Sequence, residues 1–160
     1  MLLNEIELRR AAPKQITPVD HSQRFYYHFT KRINLSEIKQ HGLHPRSASG
    51  EWEGIGYKDS VFFVGNIKPD TINYVLTMFL NREPTYGPDG GESWSEADWN
   101  RFEQSFIALT IDGNKIPNLQ LEPDQYFDFD WIPSFFTKQP VPPSAIVNVQ
   151  DVHFDWDESD

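Results

Sequence analysis

The chain has 160 residues, 38% of them hydrophobic and 14% aromatic, a length and a core content that suit one domain. A formal net charge of −10 argues against broad binding to nucleic-acid backbones, and the absence of cysteine excludes disulfides, thiolate chemistry and cysteine-based zinc sites. The N-terminal MLLNEIELRRAAPKQ is too charged for a signal peptide, and no apolar run reaches the length of a membrane span, so the sequence predicts a soluble, cytoplasmic protein.

Residues 1–22 are polar and interrupted by proline, and read as an irregular N-terminal arm or a short strand. RFYYHF, from Arg24, has the β propensity of a strand. Asn34 and Glu37 have the spacing of a capping box, and Gly42 is a natural stop two turns later, with Leu35 and Ile38 on the buried face. This stretch is also locally basic: Arg24, Lys31, Arg32, Lys39 and Arg46 face the single acid Glu37. Residues 44–60 read as a loop carrying Trp52 and Tyr57, and SVFFVG as a short strand. Pro69 and Asp70 open a helix that ends before Pro84. Ile72, Val75, Leu76, Phe79 and Leu80 form its apolar stripe, while Tyr74 and Met78 fall on the other side.

PTYGPDGGESW reads as a loop, SEADWNRFEQ as a capped helix, and SFIALTIDGN as a strand closing on an Asp-Gly turn. After a DQYFDFDW segment, PSFFTK and AIVNVQDVHF read as strands, and the acidic DWDESD as a solvated end. Short helices among more numerous strands predict an α+β fold rather than a doubly wound sheet.

Among side chains with chemistry, His28 on its aromatic strand admits two readings: a hydrogen-bonded structural residue, or a neutral imidazole that hydrogen-bonds a bound hydroxyl. His41 and His44 are separated by the helix stop at Gly42 and lose shared-face metal geometry, while His21 and His153 cannot be placed near them, so no metal site is assigned. Glu122, Asp124, Asp128 and Asp130 lie close together, either as a hydrolytic carboxylate pair or as a solvated run. No GxSxG elbow, GxxxxGK phosphate loop or GxGxxG fingerprint occurs.

The order of three pieces is more specific than any one of them. YYHFTKRINLSEIKQHGLHP resembles the opening motif of the ADP-ribosyltransferase superfamily, in which a strand ends in His and Thr ahead of a short helix and Gly-Leu-x-Pro. GIGYKDSVFFV followed by INYVL resembles its second block, a strand after a Gly-rich loop and then a helix with its own Tyr. SFFTKQPVPPSAIVNVQ resembles its closing block, and together the pieces span roughly residues 25–150 in family order.

The resemblance implies an ADP-ribosyltransferase-like split β-sheet with an NAD cleft over residues 23–153, between the 1–22 arm and an acidic tail at 154–160. NAD would be the substrate and the source of ADP-ribose. His28 would contact the adenosine-side ribose hydroxyls, the Phe29 main chain would hold the nicotinamide amide, Thr30 would bond nearby, and Tyr74 would stack on the nicotinamide. Phe62 stands where the polymerase-like branch has a Tyr. Ser134 stands where the family has its catalytic Glu, and Asp130 or Asp128 upstream would supply the missing carboxylate, with Glu122 a poorer choice. The implied activity is mono-ADP-ribosyl transfer to a protein or nucleic-acid target, the overall charge favouring a protein, or a local nucleic-acid contact, over nonspecific duplex binding, with Arg24, Lys31, Arg32 and Arg46 favouring the pyrophosphate and no membrane involved.

Two rivals accompany it. A degenerate member would bind a partner through an aromatic rim of Trp52, Tyr57 and Trp94 without transfer. An RNA 2′-phosphotransferase would set Arg24 and Arg32 around His28.

Overall fold

A computed structural model describes residues 22–45, 60–82, 93–124 and 133–154. Strand β1 (Phe25–Lys31) leads through a 3₁₀ turn (Arg32–Asn34) into helix α1 (Leu35–His41). Strand β2 (Val61–Val64) precedes helix α2 (Pro69–Arg82), and helix α3 (Glu96–Gln104) precedes strand β3 (Phe106–Asp112). A 3₁₀ turn (Gly113–Lys115), the short strand β4 (Glu122–Pro123), strand β5 (Ser134–Thr137), a third 3₁₀ turn (Pro143–Ala145) and strand β6 (Ile146–Asp151) follow.

The strands form one antiparallel sheet in the order β4-β5-β2-β1-β3-β6. The α+β class is therefore as expected, with short helices on both faces of a six-stranded sheet. Tyr26, Val61, Phe63, Ile107, Leu109, Ile111 and Phe135 pack on the first face with Ile38 of α1, Leu43, Val141 and Ala145. Phe29, Phe106 and Ala108 pack on the second face with Leu76 and Leu80 of α2, Phe102 of α3 and Val152. Because β3 is covered on both sides, its side chains are buried along almost the whole strand instead of alternating with exposed ones.

The sheet narrows in its middle. β1 and β3 stay in register from Phe25↔Asp112 to Lys31↔Phe106, and β2 pairs with β5 along its whole length. Between β1 and β2 the register is held at Tyr27↔Val64. The six strands form one sheet, and its two three-stranded halves meet at this junction.

A cap explains where one helix begins. Ser95 is extended (φ −76°, ψ 170°), so its hydroxyl reaches the Asp98 amide while Asp98 answers at the Ser95 amide, closing a capping box on α3. The box expected at Asn34 and Glu37 does not form. The 3₁₀ turn leaves Asn34 already helical (φ −86°, ψ −6°), whereas a capping side chain needs an extended backbone, and the Asn34 amide turns to Thr30 Oγ1 instead, at 3.4 Å. Gly42 ends α1 with φ +78°, its N–H donating to Ile38 O at 2.7 Å.

The Asp-Gly step after β3 does not make a hairpin. Asp112 accepts the Asn114 amide and holds Arg24, which turns the chain into a 3₁₀ turn, and β3 pairs with β1 and β6. Trp94 and Trp99 form part of the packing around Phe102, joined by Phe154, whose ring stacks on Phe102 at 5.8 Å. The packed chain therefore runs through Phe154. No described helix is long and apolar enough to cross a membrane.

Candidate functional site

The site begins with strand alternation. Tyr26, His28 and Thr30 share the face that carries α1, while Tyr27 and Phe29 share the opposite one. Main-chain groups alternate as well. Gly113 N donates to Arg24 O and Arg32 N donates to Ser105 O, both at 2.7 Å, so even-numbered residues of β1 bond to β3. The N–H and C=O of Tyr27 and Phe29 consequently point toward β2. Continuing the Tyr27↔Val64 register would place Phe62 opposite Phe29, but the pairing does not extend that far.

His28 explains why. Its Nδ1 lies 2.7 Å from Phe62 O, the carbonyl that an unbroken ladder would present to the Phe29 amide. A carbonyl only accepts, so Nδ1 carries the proton and donates. Burial pushes the His28 pKa down, against a smaller upward pull from the bond to Phe62, so the ring is held neutral. Neutral with Nδ1–H, it keeps a bare lone pair on Nε2, which accepts no hydrogen bond from the described residues. The ring edge rests on Phe63 at 6.5 Å between centroids, which fixes its plane.

A pocket of about 240 Å³ opens here. His28 and Thr30 line it from β1, Phe62, Val61 and Ser60 from β2 and its start, Asn34 from the 3₁₀ turn, and Glu37, Ile38 and His41 from α1, with Gly42, Leu43 and His44 at the helix end. Gly42 is required twice: for its positive φ, and because a Cβ there would sit 2.0 Å from Val141 O. The Leu43–Val141 bridge, with N–H···O bonds of 2.9 and 2.8 Å, closes that end.

Of the residues expected from sequence, the pocket brings together His28, Thr30 and Phe62. Phe62 contributes its carbonyl, while its ring lies toward Phe136 at 6.1 Å. Phe29 buries its ring on the second face and leaves its main chain directed at the gap.

Tyr74 does not line the pocket: α2 packs on the second face, and Tyr74 is half-buried there. Ser134 is also remote from it. Ser134 pairs with Val64, whose side chain packs on the second face, so the buried Ser134 side chain lies across the sheet from His28 and two strand spacings away, roughly 10 Å. Asp128 and Asp130 lie outside the described residues, as do Trp52, Tyr57 and Arg46.

The carboxylate that the fold does bring beside Ser134 is Asp124, buried, with its amide donating to Ser134 O at 2.9 Å. Sequence reasoning grouped Asp124 with its acidic neighbours without separating it from them. The two-residue strand β4 that places it is too short to show any alternation.

Two arginines of the basic segment are held by partners along the sheet. Arg24 forks onto Asp112, with Nε–Oδ1 3.0 Å and Nη2–Oδ2 2.9 Å, and its guanidinium lies 4.9 Å from the centre of the Phe25 ring. Arg32 donates to Gln104 O and to Asp151 Oδ1, both at 2.7 Å. Both guanidiniums are engaged beside β3 and β6, and neither lines the pocket with His28. No lysine or arginine lines the pocket among the described residues.

His44 Nε2 bonds to His41 O at 2.8 Å, and no described group of three or more His, Asp or Glu side chains could hold an ion. The aromatic rim proposed for a binding module loses Trp94 to the core beside Trp99, at 5.1 Å between ring centroids. Comparison with protein-family models and with curated proteins gave no match, leaving the site geometry and the order of the motifs to carry the functional reading.

Proposed function

We propose that the chain is a divergent ADP-ribosyltransferase-like domain that binds NAD at the β1–β2 junction and transfers its ADP-ribose to a macromolecular target. The observation that carries this reading is the His28–Phe62 bond. It fixes a neutral imidazole with Nε2 as an acceptor, the form suited to a ribose hydroxyl, and it occupies the Phe62 carbonyl, while strand alternation points the Phe29 main chain at the break in the β1–β2 pairing, where a carboxamide could exchange two hydrogen bonds. The motif order supports the same assignment.

In this reading the bond between the nicotinamide nitrogen and the anomeric carbon breaks, and nicotinamide leaves with the bonding electrons. Positive charge builds on the ribose. A nucleophile on the target attacks the anomeric carbon and gives up its proton. His28 orients one ribose and the Phe29 main chain orients the leaving group. An acid beyond the described residues, Asp130, supplies the negative charge that Ser134 lacks. Such a charge is worth about 10²–10³ in rate when it is aimed at the transition state. A protein target suits a chain with net charge −10 better than a nucleic-acid backbone.

The experiment is label transfer from NAD into lysate proteins by the purified chain, beside His28→Ala, Asp124→Ala and Asp130→Ala. Transfer lost in His28→Ala and Asp130→Ala, and kept in Asp124→Ala, is the expected pattern. A second reading, binding of NAD without transfer, is favoured by Ser134 lying on the face opposite the pocket. It predicts NAD binding to the wild type with no label incorporated.

A further inference from the structure

Glu37 is the one described acid that lines the pocket, and the failed capping box leaves it there. As the third residue after Asn34, it occupies the position from which a Glu normally reaches back to the N-cap amide. Here its carboxylate makes no hydrogen bond or ion pair with any described residue. Asn34, Glu37, Ile38 and His41 recur at helical spacing, so α1 forms one wall of the pocket and β1 supplies His28 and Thr30.

Two of these groups only accept hydrogen bonds: His28 Nε2 in its neutral form, and the Glu37 carboxylate. The described lining contains no lysine or arginine, so these walls ask a ligand for hydroxyl donors and place the Glu37 carboxylate, not a cation, beside it. A vicinal diol meets that demand, because a carboxylate can accept from both hydroxyls. A phosphate ester in its place removes a donor and brings a dianion beside a carboxylate.

Resting on the NAD reading above, we propose that Glu37 makes this pocket select a dinucleotide whose adenosine ribose keeps its free 2′,3′-diol and reject one phosphorylated at the 2′ position.

The test is titration calorimetry on the full chain at pH 8, with NAD and with its 2′-phosphorylated counterpart NADP, for wild type and Glu37→Gln. Wild type should bind NAD at least about tenfold more tightly than NADP, by a margin that shrinks with added salt. Glu37→Gln, which keeps hydrogen bonding but removes the charge, should bring the two affinities within about threefold by strengthening NADP binding. Equal affinities in wild type, or a ratio unchanged in Glu37→Gln, overturn the role of Glu37 while leaving NAD binding in place. Absence of binding by either dinucleotide overturns the NAD reading itself and this inference with it.

Discussion

His28 takes the Phe62 carbonyl with its imidazole at 2.7 Å, where the Phe29 amide would otherwise continue the ladder between β1 and β2. A side chain thus substitutes for a main-chain partner at the middle of the sheet, and the pocket opens at that substitution. Removing the ring leaves Phe62 O short of its donor, and His28→Ala should lower stability by roughly 1–3 kcal/mol in a urea titration.

The same contact predicts a pH dependence. The folded-state pKa of His28 lies below the ordinary value of 6.5, with desolvation the larger cause. Below that value the unfolded chain binds a proton that the folded chain resists, so stability falls as pH drops from 7 toward 5. His28→Asn keeps a donor near the Nδ1 position but cannot titrate, and its melting temperature should decline less over that window than the wild type's. Parallel curves would assign the decline to other groups.

Acid stability below pH 4 rests in part on Asp112. Hydrogen bonds from the Arg24 guanidinium, aided by the Asn114 amide, hold its carboxyl below the usual value. A depressed carboxylate stabilises the fold above the unfolded pKa of about 3.9, and that contribution disappears as pH falls through the folded value. Asp112→Asn should lower the urea midpoint at pH 7 and flatten the wild-type loss of stability in acid. Arg24→Ala combined with it should add little, since the two side chains act as one pair.

Gly42→Ala places a Cβ 2.0 Å from Val141 O at φ +78°, ψ −167°, a backbone conformation open to glycine almost alone. The backbone cost of roughly 1–3 kcal/mol adds to the clash, and the Leu43–Val141 bridge must break to relieve it. Urea denaturation should show a large loss of stability, accompanied by loss of ligand binding, because Gly42 lines the pocket.

Phe102 anchors α3 with only 2% of its surface exposed, touching Trp94, Phe106 and Phe154. Phe102→Ala should cost about 3–5 kcal/mol and reduce the near-ultraviolet dichroism that Trp94 and Trp99 contribute. An unchanged melting temperature would mean that these rings serve a surface and not the core.

Local pattern made the helices legible: the stripe of Ile72, Val75, Leu76, Phe79 and Leu80 on α2 and the capped helix expected over SEADWNRFEQ both lie where the sequence placed them. Local propensity failed where tertiary contacts decided. Asn34 is a good capping residue whose backbone is already helical. Asp112-Gly113 is a good hairpin turn, diverted by a partner 88 positions away, Arg24. His28 could be read as a candidate, but its tautomer depends on a carbonyl 34 positions along the chain. Motif alignment placed Ser134 on β5 but could not show that its side chain faces away from His28, since that follows from the Ser134↔Val64 register. Nor could it separate Asp124 from its acidic neighbours without knowing that β4 pairs there.

The most direct measurement is NAD binding by titration calorimetry to wild type, His28→Ala and His28→Asn, with folding of each checked by melting temperature. A wild-type chain that binds NAD, a His28→Asn variant that stays folded but binds at least about tenfold more weakly for want of the Nε2 acceptor, and no binding by His28→Ala are the results expected. Equal NAD binding by wild type and a folded His28→Asn, or no binding by wild type, would contradict the assignment of the β1–β2 junction as the nucleotide site.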